Sequence, residues 1–310
     1  MANKIPVGGT IAHAYRFTFG NIVNNFGAIW LPALILYALS YFLFSPYTAE
    51  MLKLAPGDLS GVRHFLPIIG FSAIFMVILL SCQIASLTKE ALGLRTGNVF
   101  LQFPFGAAWW RLLVTYILFV LAVIAIYVAV LILAVVGGFL LGLVASHLSK
   151  PTGLLLVGLS GLVAAVAMFC ATIYIVVRLS FLIAPVAVAE KRITLIRGWT
   201  LTRGNFWRIF VILLSVLVPM LIAEFAYMYA VFGWEVFPQS GMQMNPVAIA
   251  QWQQHQRELV LTSTAKMQHY WYVTYPIGLL VALIMYGLLA GISAFAYRAL
   301  VPASAAEAPT

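Results

Sequence analysis

Residues 112–136 read LLVTYILFVLAVIAIYVAVLILAVV, without a single charged, amide or imidazole side chain. An α-helix rises 1.5 Å per residue, so crossing the ~30 Å hydrocarbon layer of a bilayer takes about 20 apolar residues. This run is long enough, and it has no polar face that would mark a soluble amphipathic helix. Five more runs of the same kind flank it: Phe26–Phe44, Phe65–Leu87, Leu154–Val177, Ile209–Phe232 and Tyr272–Tyr297. The expected fold is therefore all-α, an integral membrane helical bundle of six spans. Gly137, Gly138 and Gly142 follow the first run and are expected to end or bend that span. Arg178 and Pro185 place the exit of the fourth span near residue 178.

Composition agrees. Of 310 residues, 64% are hydrophobic and 8% charged, whereas a soluble domain carries about 25% charged residues. Water-soluble, disordered and collagen-like classes are excluded. Met1–Thr10 lacks the apolar core of a signal peptide, so the first run is expected to stay as a span. Cys82 and Cys170 lie inside apolar runs and read as small buried hydrophobes, not as a disulfide or metal pair. The expected organisation is a cytoplasmic amphipathic lead-in over 1–25, one membrane domain over 26–297, and a cytoplasmic tail over 298–310. Within the domain, the outer loop 235–269 is expected to be partly helical, because Asn245-Pro246 has the form of a helix start.

The net charge of +9 has a sidedness. Lys4, Arg16, Lys89, Arg95, Arg111, Arg178, Arg298 and the five Lys/Arg between 191 and 208 share one side of the six-span topology. Lys53, Arg63, Lys150, Arg257 and Lys266 fall on the other. Short cytoplasmic loops carry the excess of Lys and Arg, which orients both termini to the cytoplasm of an inner (plasma) membrane. No basic region stands free of the membrane, so the excess points to anionic lipid headgroups and not to nucleic acid.

The pattern recurs along the chain. Three times a segment of mixed polarity meets an aromatic doorstep and then a hairpin of spans: Asn25-Phe26 with Trp30, Trp110-Arg111, and Asn205-Phe206-Trp207-Arg208. In the first lead-in Ile11, Tyr15, Phe19, Ile22 and Phe26 form one stripe, expected to lie apolar face down in the headgroup plane. The third, Ile193–Phe206, sets Leu195, Ile196 and Trp199 beside Arg192, Arg197 and Arg203. The middle one, Thr96–Ala108, is broken by Pro104 and Gly106.

Candidate chemistry is sparse. Glu224 is the one carboxylate placed inside a span, with Tyr227 a turn away and Pro219 releasing the Ser215 carbonyl. A charge at mid-membrane costs roughly 2.5–3.5 kcal/mol on insertion scales, so Glu224 reads either as a proton- or cation-coupled site of a small transporter or channel, or as a glutamate hydrogen-bonded between helices. Arg178, Arg192, Arg197 and Arg203 are candidates for binding lipid phosphate, against the simpler reading that Arg178 snorkels to the interface. Gly158-Leu159-Ser160-Gly161 spells the GxSG pattern of rhomboid proteases. A serine nucleophile needs a base, and the sixth span holds no histidine, so an intramembrane hydrolase using Ser160 is the remoter alternative. His64, His147, His255 and His269 fall in outer loops without ligand spacing, so no metal site is expected. No nucleotide or cofactor motif occurs, and no cofactor is expected. Gly138/Gly142 and Gly287/Gly291 are GxxxG pairs expected to let helices approach closely, within the bundle or between copies.

The run Arg178-Leu-Ser-Phe-Leu-Ile-Ala-Pro185-Val-Ala-Val-Ala-Glu190, with Leu195, Trp199, Leu201-Thr202-Arg203-Gly204-Asn205 and Trp207-Arg208, resembles a recurring feature of bacterial polytopic inner-membrane proteins. These are similar to the membrane domain of glycerophosphoryl diester phosphodiesterases and to related families. The resemblance implies a membrane domain. It does not imply the hydrolase, whose metal site needs several acids and histidines, because Asp58 is the sole aspartate here. The expected function is a non-enzymatic membrane component that engages anionic lipids, and a protein partner or second copy, with no assigned catalytic residue.

Overall fold

The computed structural model describes residues 4–39, 41–42, 59–95, 106–147, 150–232 and 269–301, with short helical pieces between 254 and 266. Among these residues the regular structure is helical throughout: α1 Val7–Gly20, α2 Ile22–Leu39, α3 Leu59–Ala91, α4 Ala107–Ser146, α5 Lys150–Ser180, α6 Ile183–Ala189, α7 Ile196–Leu201, α8 Phe206–Phe232 and α9 Trp271–Leu300. Six stretches are long and apolar enough to cross a membrane: Ile22–Leu39, Leu66–Ala91, Ala107–Leu143, Val157–Ala189, Phe206–Tyr227 and Trp271–Leu300. These coincide with the six runs read from the sequence. Most of the middle lead-in, residues 96–105, lies outside the described residues, as do Asn245-Pro246 and the tail beyond 301.

Two expectations are corrected. Cys82 is buried as expected, but Cys170 is exposed. Gly137, Gly138 and Gly142 do not end α4, which continues as one helix to Ser146. Glycine keeps its N–H, so the helical ladder stays intact at a cost of about 1 kcal/mol relative to alanine. A broken ladder in lipid would leave backbone groups unsatisfied at several kcal/mol each. α4 is thus 40 residues, about 60 Å long. α5 stops at Ser180, two residues beyond Arg178, while the apolar stretch it belongs to runs on through α6 to Ala189.

The chain divides into two compact units. The first combines Met1–Gly8, Phe105–Val211 and Ser293–Thr310. In it α4 packs along α5 and α6, and the short α7 sits on α5 and α6. Its core lies toward the arginine-bearing ends of the helices, where Leu112, Leu182, Ile183, Val186 and Ile209 are fully buried. Farther along, Leu131, Leu133, Val135 and Phe139 of α4 stand exposed. In lipid such exposure carries no hydrophobic penalty.

The N-terminal strand of chain is pinned into this unit at both backbone groups of one residue. Ile5 N–H donates to Asn205 Oδ1 at 3.1 Å, and Arg208 Nη1 donates to the Ile5 carbonyl at 2.8 Å. Ile5 and Asn205 are both buried. Asn205→Ala would strand the Ile5 N–H away from water, a cost of about 1–3 kcal/mol. The expected result is a lowered unfolding midpoint in detergent together with faster proteolysis of residues 1–8; a midpoint equal to wild type would contradict the clip.

The second unit combines Gly9–Pro104 and Ile212–Ile292. α2 and α3 pack together. α1 meets α9 at two glycines: a Cβ on Gly291 would stand 2.8 Å from Ala14 Cα, and one on Gly287 would stand 2.9 Å from Thr18 Cγ2. Within this chain Gly287/Gly291 serves close approach, whereas a Cβ on Gly138 or Gly142 would meet nothing within 4 Å. α1 therefore has two working faces. The apolar stripe keeps Phe19 and Ile22 exposed, while Thr10, Ala14, Phe17 and Thr18 are buried. Prolines within the spans release carbonyls, and one of these is re-bonded: Pro219 frees the Ser215 carbonyl, which accepts from the Tyr15 hydroxyl at 3.4 Å.

Candidate functional site

The most polar structure in the first unit lies where α5 ends and α8 begins. Between residues 178 and 208 stand Arg178, Lys191, Arg192, Arg197, Arg203 and Arg208, against the single acid Glu190. Four local features shape this stretch. α5 stops at Ser180, and α6 is buried from Ile183 to Val188. Lys191, at φ 55°, turns the chain out of α6. α7 then runs for six residues, capped by Thr202. Gly204, at φ 77°, takes the left-handed turn that brings Asn205 to the start of α8, a conformation that costs glycine nothing.

Arg178 holds this stretch together from inside. It is 6% exposed. Its guanidinium donates to the Trp199 carbonyl at 2.6 Å, the Tyr174 hydroxyl at 2.8 Å and Thr202 Oγ1 at 3.4 Å. It also lies over the Trp199 ring, 3.8 Å from the centroid. Thr202 Oγ1 is itself within reach of the Gly198 carbonyl at 2.9 Å. The planar fork thus ties the last turn of α5 to α7 with donors that suit a guanidinium and not an ammonium. Arg178 neither snorkels nor presents itself to a phosphate. Its geometry is that of a clamp.

Arg197 is also engaged, on the other side of α7. Its Nε donates to both oxygens of Glu190, each at 3.0 Å, and the Tyr297 hydroxyl from α9 donates to Glu190 Oε1 at 3.2 Å. Glu190 is therefore saturated by one cation and one phenol. What remains outward is a set of cations with no such tie: Lys191, Arg192 and Arg203 are exposed. Arg192 and Arg197 line a shallow cavity of about 560 Å³ with Ile193, Thr194, Ile196 and Thr200. Within that lining Ile196 is 75% exposed, and Trp207, at the start of α8, is 73% exposed. Of the four arginines singled out in the sequence, Arg192 and Arg197 thus share a cavity, Arg203 stands exposed apart from its lining, and Arg178 is internal. The signal that would have separated them was the buried doorstep: Thr202 and Asn205 are the inward partners of the loop, and both are fully or almost fully buried.

The other candidates lie elsewhere. Glu224 is exposed and forms no hydrogen bond or ion pair with any described residue; Tyr227 is half-buried. Glu224 lies about 24 Å along α8 from Arg208, and the helix continues about two turns beyond it to Phe232. Ser160 lines a groove of about 690 Å³ between α4 and α5, with Gly137, Gly138, Ala164 and Met168 among its other walls. Its hydroxyl donates to the Val157 carbonyl of its own helix at 3.0 Å, and the groove is lined by no histidine, aspartate or glutamate. That is the back-bonding of a helix-packing serine. Compared with family models, with curated proteins and with solved structures, the chain matches none.

Proposed function

We propose that this chain is a non-enzymatic inner-membrane component, with both termini in the cytoplasm, that engages anionic lipid headgroups through the shelf at Lys191, Arg192 and Arg203. The observation that carries the reading is the division of labour among the arginines. Arg178 and Arg197 are spent on shaping the loop between α5 and α8, while Arg192, which shares a cavity with Ile196, and Arg203 are left exposed, as is Trp207. Cations next to exposed apolar side chains suit the boundary between headgroups and acyl chains. A guanidinium offers a paired N–H fork to a phosphate. The resemblance to the phosphodiesterase membrane domain supports the same placement, because its motif covers this loop. Neither Glu224, exposed and engaged by no described residue, nor Ser160, bonded to its own helix, favours transport or hydrolysis over this reading.

Each surface cation near an anionic leaflet is worth about 1 kcal/mol. Arg192→Ala combined with Arg203→Ala is therefore expected to weaken phosphatidylglycerol binding to the delipidated protein by roughly tenfold or more. The loss should shrink at high salt, and phosphatidylcholine binding should not change. Native mass spectrometry of lipid adducts in mild detergent reads both lipids. Equal phosphatidylglycerol retention by wild type and the double variant would sink the proposal.

A further inference from the structure

The second unit contains a buried polar stripe that the lipid reading does not use. On α3, Gln83, Ser86 and Glu90 follow one another at spacings of three and four residues, which places them on one face. Gln83 and Ser86 are 1% and 0% exposed, and Glu90 is half-buried. Gln83 Oε1, Ser86 Oγ and Glu90 Oε2 are all shut off from solvent without a hydrogen-bond partner. Glu90's other oxygen accepts from Asn24 Nδ2 of α2 at 3.1 Å, which sets this face of α3 against α2. One turn farther along α2, on the same side as Asn24, Pro32 leaves the buried Ala28 carbonyl without its helical donor. Asn25 Oδ1, next to Asn24, is likewise buried and unpartnered. Thr88 Oγ1 is unpartnered too, but lies on the opposite side of α3.

All of these atoms are oxygens, one of them of a carboxylate; the remaining buried, unpartnered side-chain atom among the described residues, Arg111 Nη1, belongs to the first unit. A buried polar atom left unbonded is costly, and a buried charge without a counter-charge is costlier still. The comparison within this chain is direct. Glu190 in the first unit has Arg197 and Tyr297, while among the described residues no cation pairs with Glu90. What the stripe lacks is a small positive ion that takes oxygen ligands. A set with one carboxylate and otherwise neutral oxygens suits a single positive charge, because divalent sites gather several carboxylates. We infer that Glu90, Ser86 and Gln83, with the Ala28 carbonyl opposite, form a binding site for a monovalent metal cation between α2 and α3.

The test is thermal unfolding of the full chain in detergent, titrated with NaCl or KCl against choline chloride at constant ionic strength. The expected result is a saturable rise of the midpoint with Na⁺ or K⁺ that choline does not produce. Glu90→Gln should lower the apparent cation affinity at least tenfold. In choline its midpoint should match or exceed that of wild type, since removing the charge removes the need for the ion. Ser86→Ala, which deletes one ligand and keeps the carboxylate, should weaken the response several-fold and serves if Glu90→Gln fails to fold. The inference is overturned if wild type unfolds identically in all three salts, if only Mg²⁺ or Ca²⁺ stabilises it, or if Glu90→Gln keeps the full response.

Discussion

Arg178→Met is expected to destabilise the protein by about 3–5 kcal/mol: hydrogen bonds to a charged group contribute roughly 1.5–3 kcal/mol each and a desolvated cation–π contact about 2, offset in part because methionine has no charge to bury. Three acceptors lose their donor at once: the Trp199 carbonyl, the Tyr174 hydroxyl and Thr202 Oγ1. Methionine fills much of the volume, so the loss reports the polar contacts and not a cavity. The damage should stay local first. α7 loses its tie to α5, so Trp199 fluorescence should report altered surroundings at temperatures where the helical signal is still intact. Arg178→Lys keeps the charge but not the fork, and is expected to recover less than half of the loss. A midpoint for Arg178→Met close to wild type would mean that α7 is held by packing alone.

The second large effect belongs to a glycine. At Gly291 a new Cβ would meet Ala14 Cα at 2.8 Å and Ala14 Cβ at 3.2 Å. The obstructing atom is backbone, so α1 has to move away bodily. Gly291→Ala is expected to cost about 1–3 kcal/mol, the usual range for overpacking, and Gly291→Val more than that. Gly287→Ala meets the Thr18 side chain instead. That side chain is tethered by its own bond to the Ala14 carbonyl at 2.8 Å, so relief is limited. The informative controls are Gly138→Ala and Gly142→Ala, which enter open space and improve helix propensity by up to about 1 kcal/mol. Unfolding midpoints of the four variants measure this directly. If the Gly291 and Gly138 variants behaved alike, the close approach of α1 to α9 would be wrong.

These two cases show what the sequence makes legible. All six spans could be read, because length and hydropathy decide a helix in lipid almost without regard to neighbours. The two GxxxG pairs look identical on paper. They differ only because α1 presents Ala14 to one of them, and a partner on another element leaves no mark in the motif. Arg178 was visible as an arginine at the end of a span, but its direction depends on the Thr202 and Trp199 groups that Gly204 and Lys191 fold back toward it. Glu224 drew attention as a lone acid in an apolar run. Glu90, next to Lys89 at a span's edge, did not. Its interest arises from Gln83 and Ser86 being buried along the same face, and burial is a property of packing and not of spacing. The doorstep asparagines were noticed as a recurring pattern. The structure adds that Asn25 and Asn205 are both buried, one bonded to the Thr18 carbonyl and the other to the Ile5 N–H.

The unbroken α4 has a consequence for the bilayer itself. Its uncharged stretch past Arg111, Leu112–Leu143, has 32 residues and measures about 48 Å. Membrane helices tilt by up to about 40°, and at that limit the stretch still projects roughly 37 Å onto the bilayer normal. The hydrocarbon layer is ~30 Å deep, and the whole bilayer with its headgroups about 40–45 Å. Lipid around α4 must therefore stretch, or the rod must carry apolar surface into the headgroups, at a fraction of a kcal/mol for each ångström of mismatch. Forty residues of uninterrupted helix thus act as a gauge of membrane thickness, at least cost where the surrounding acyl chains are longest.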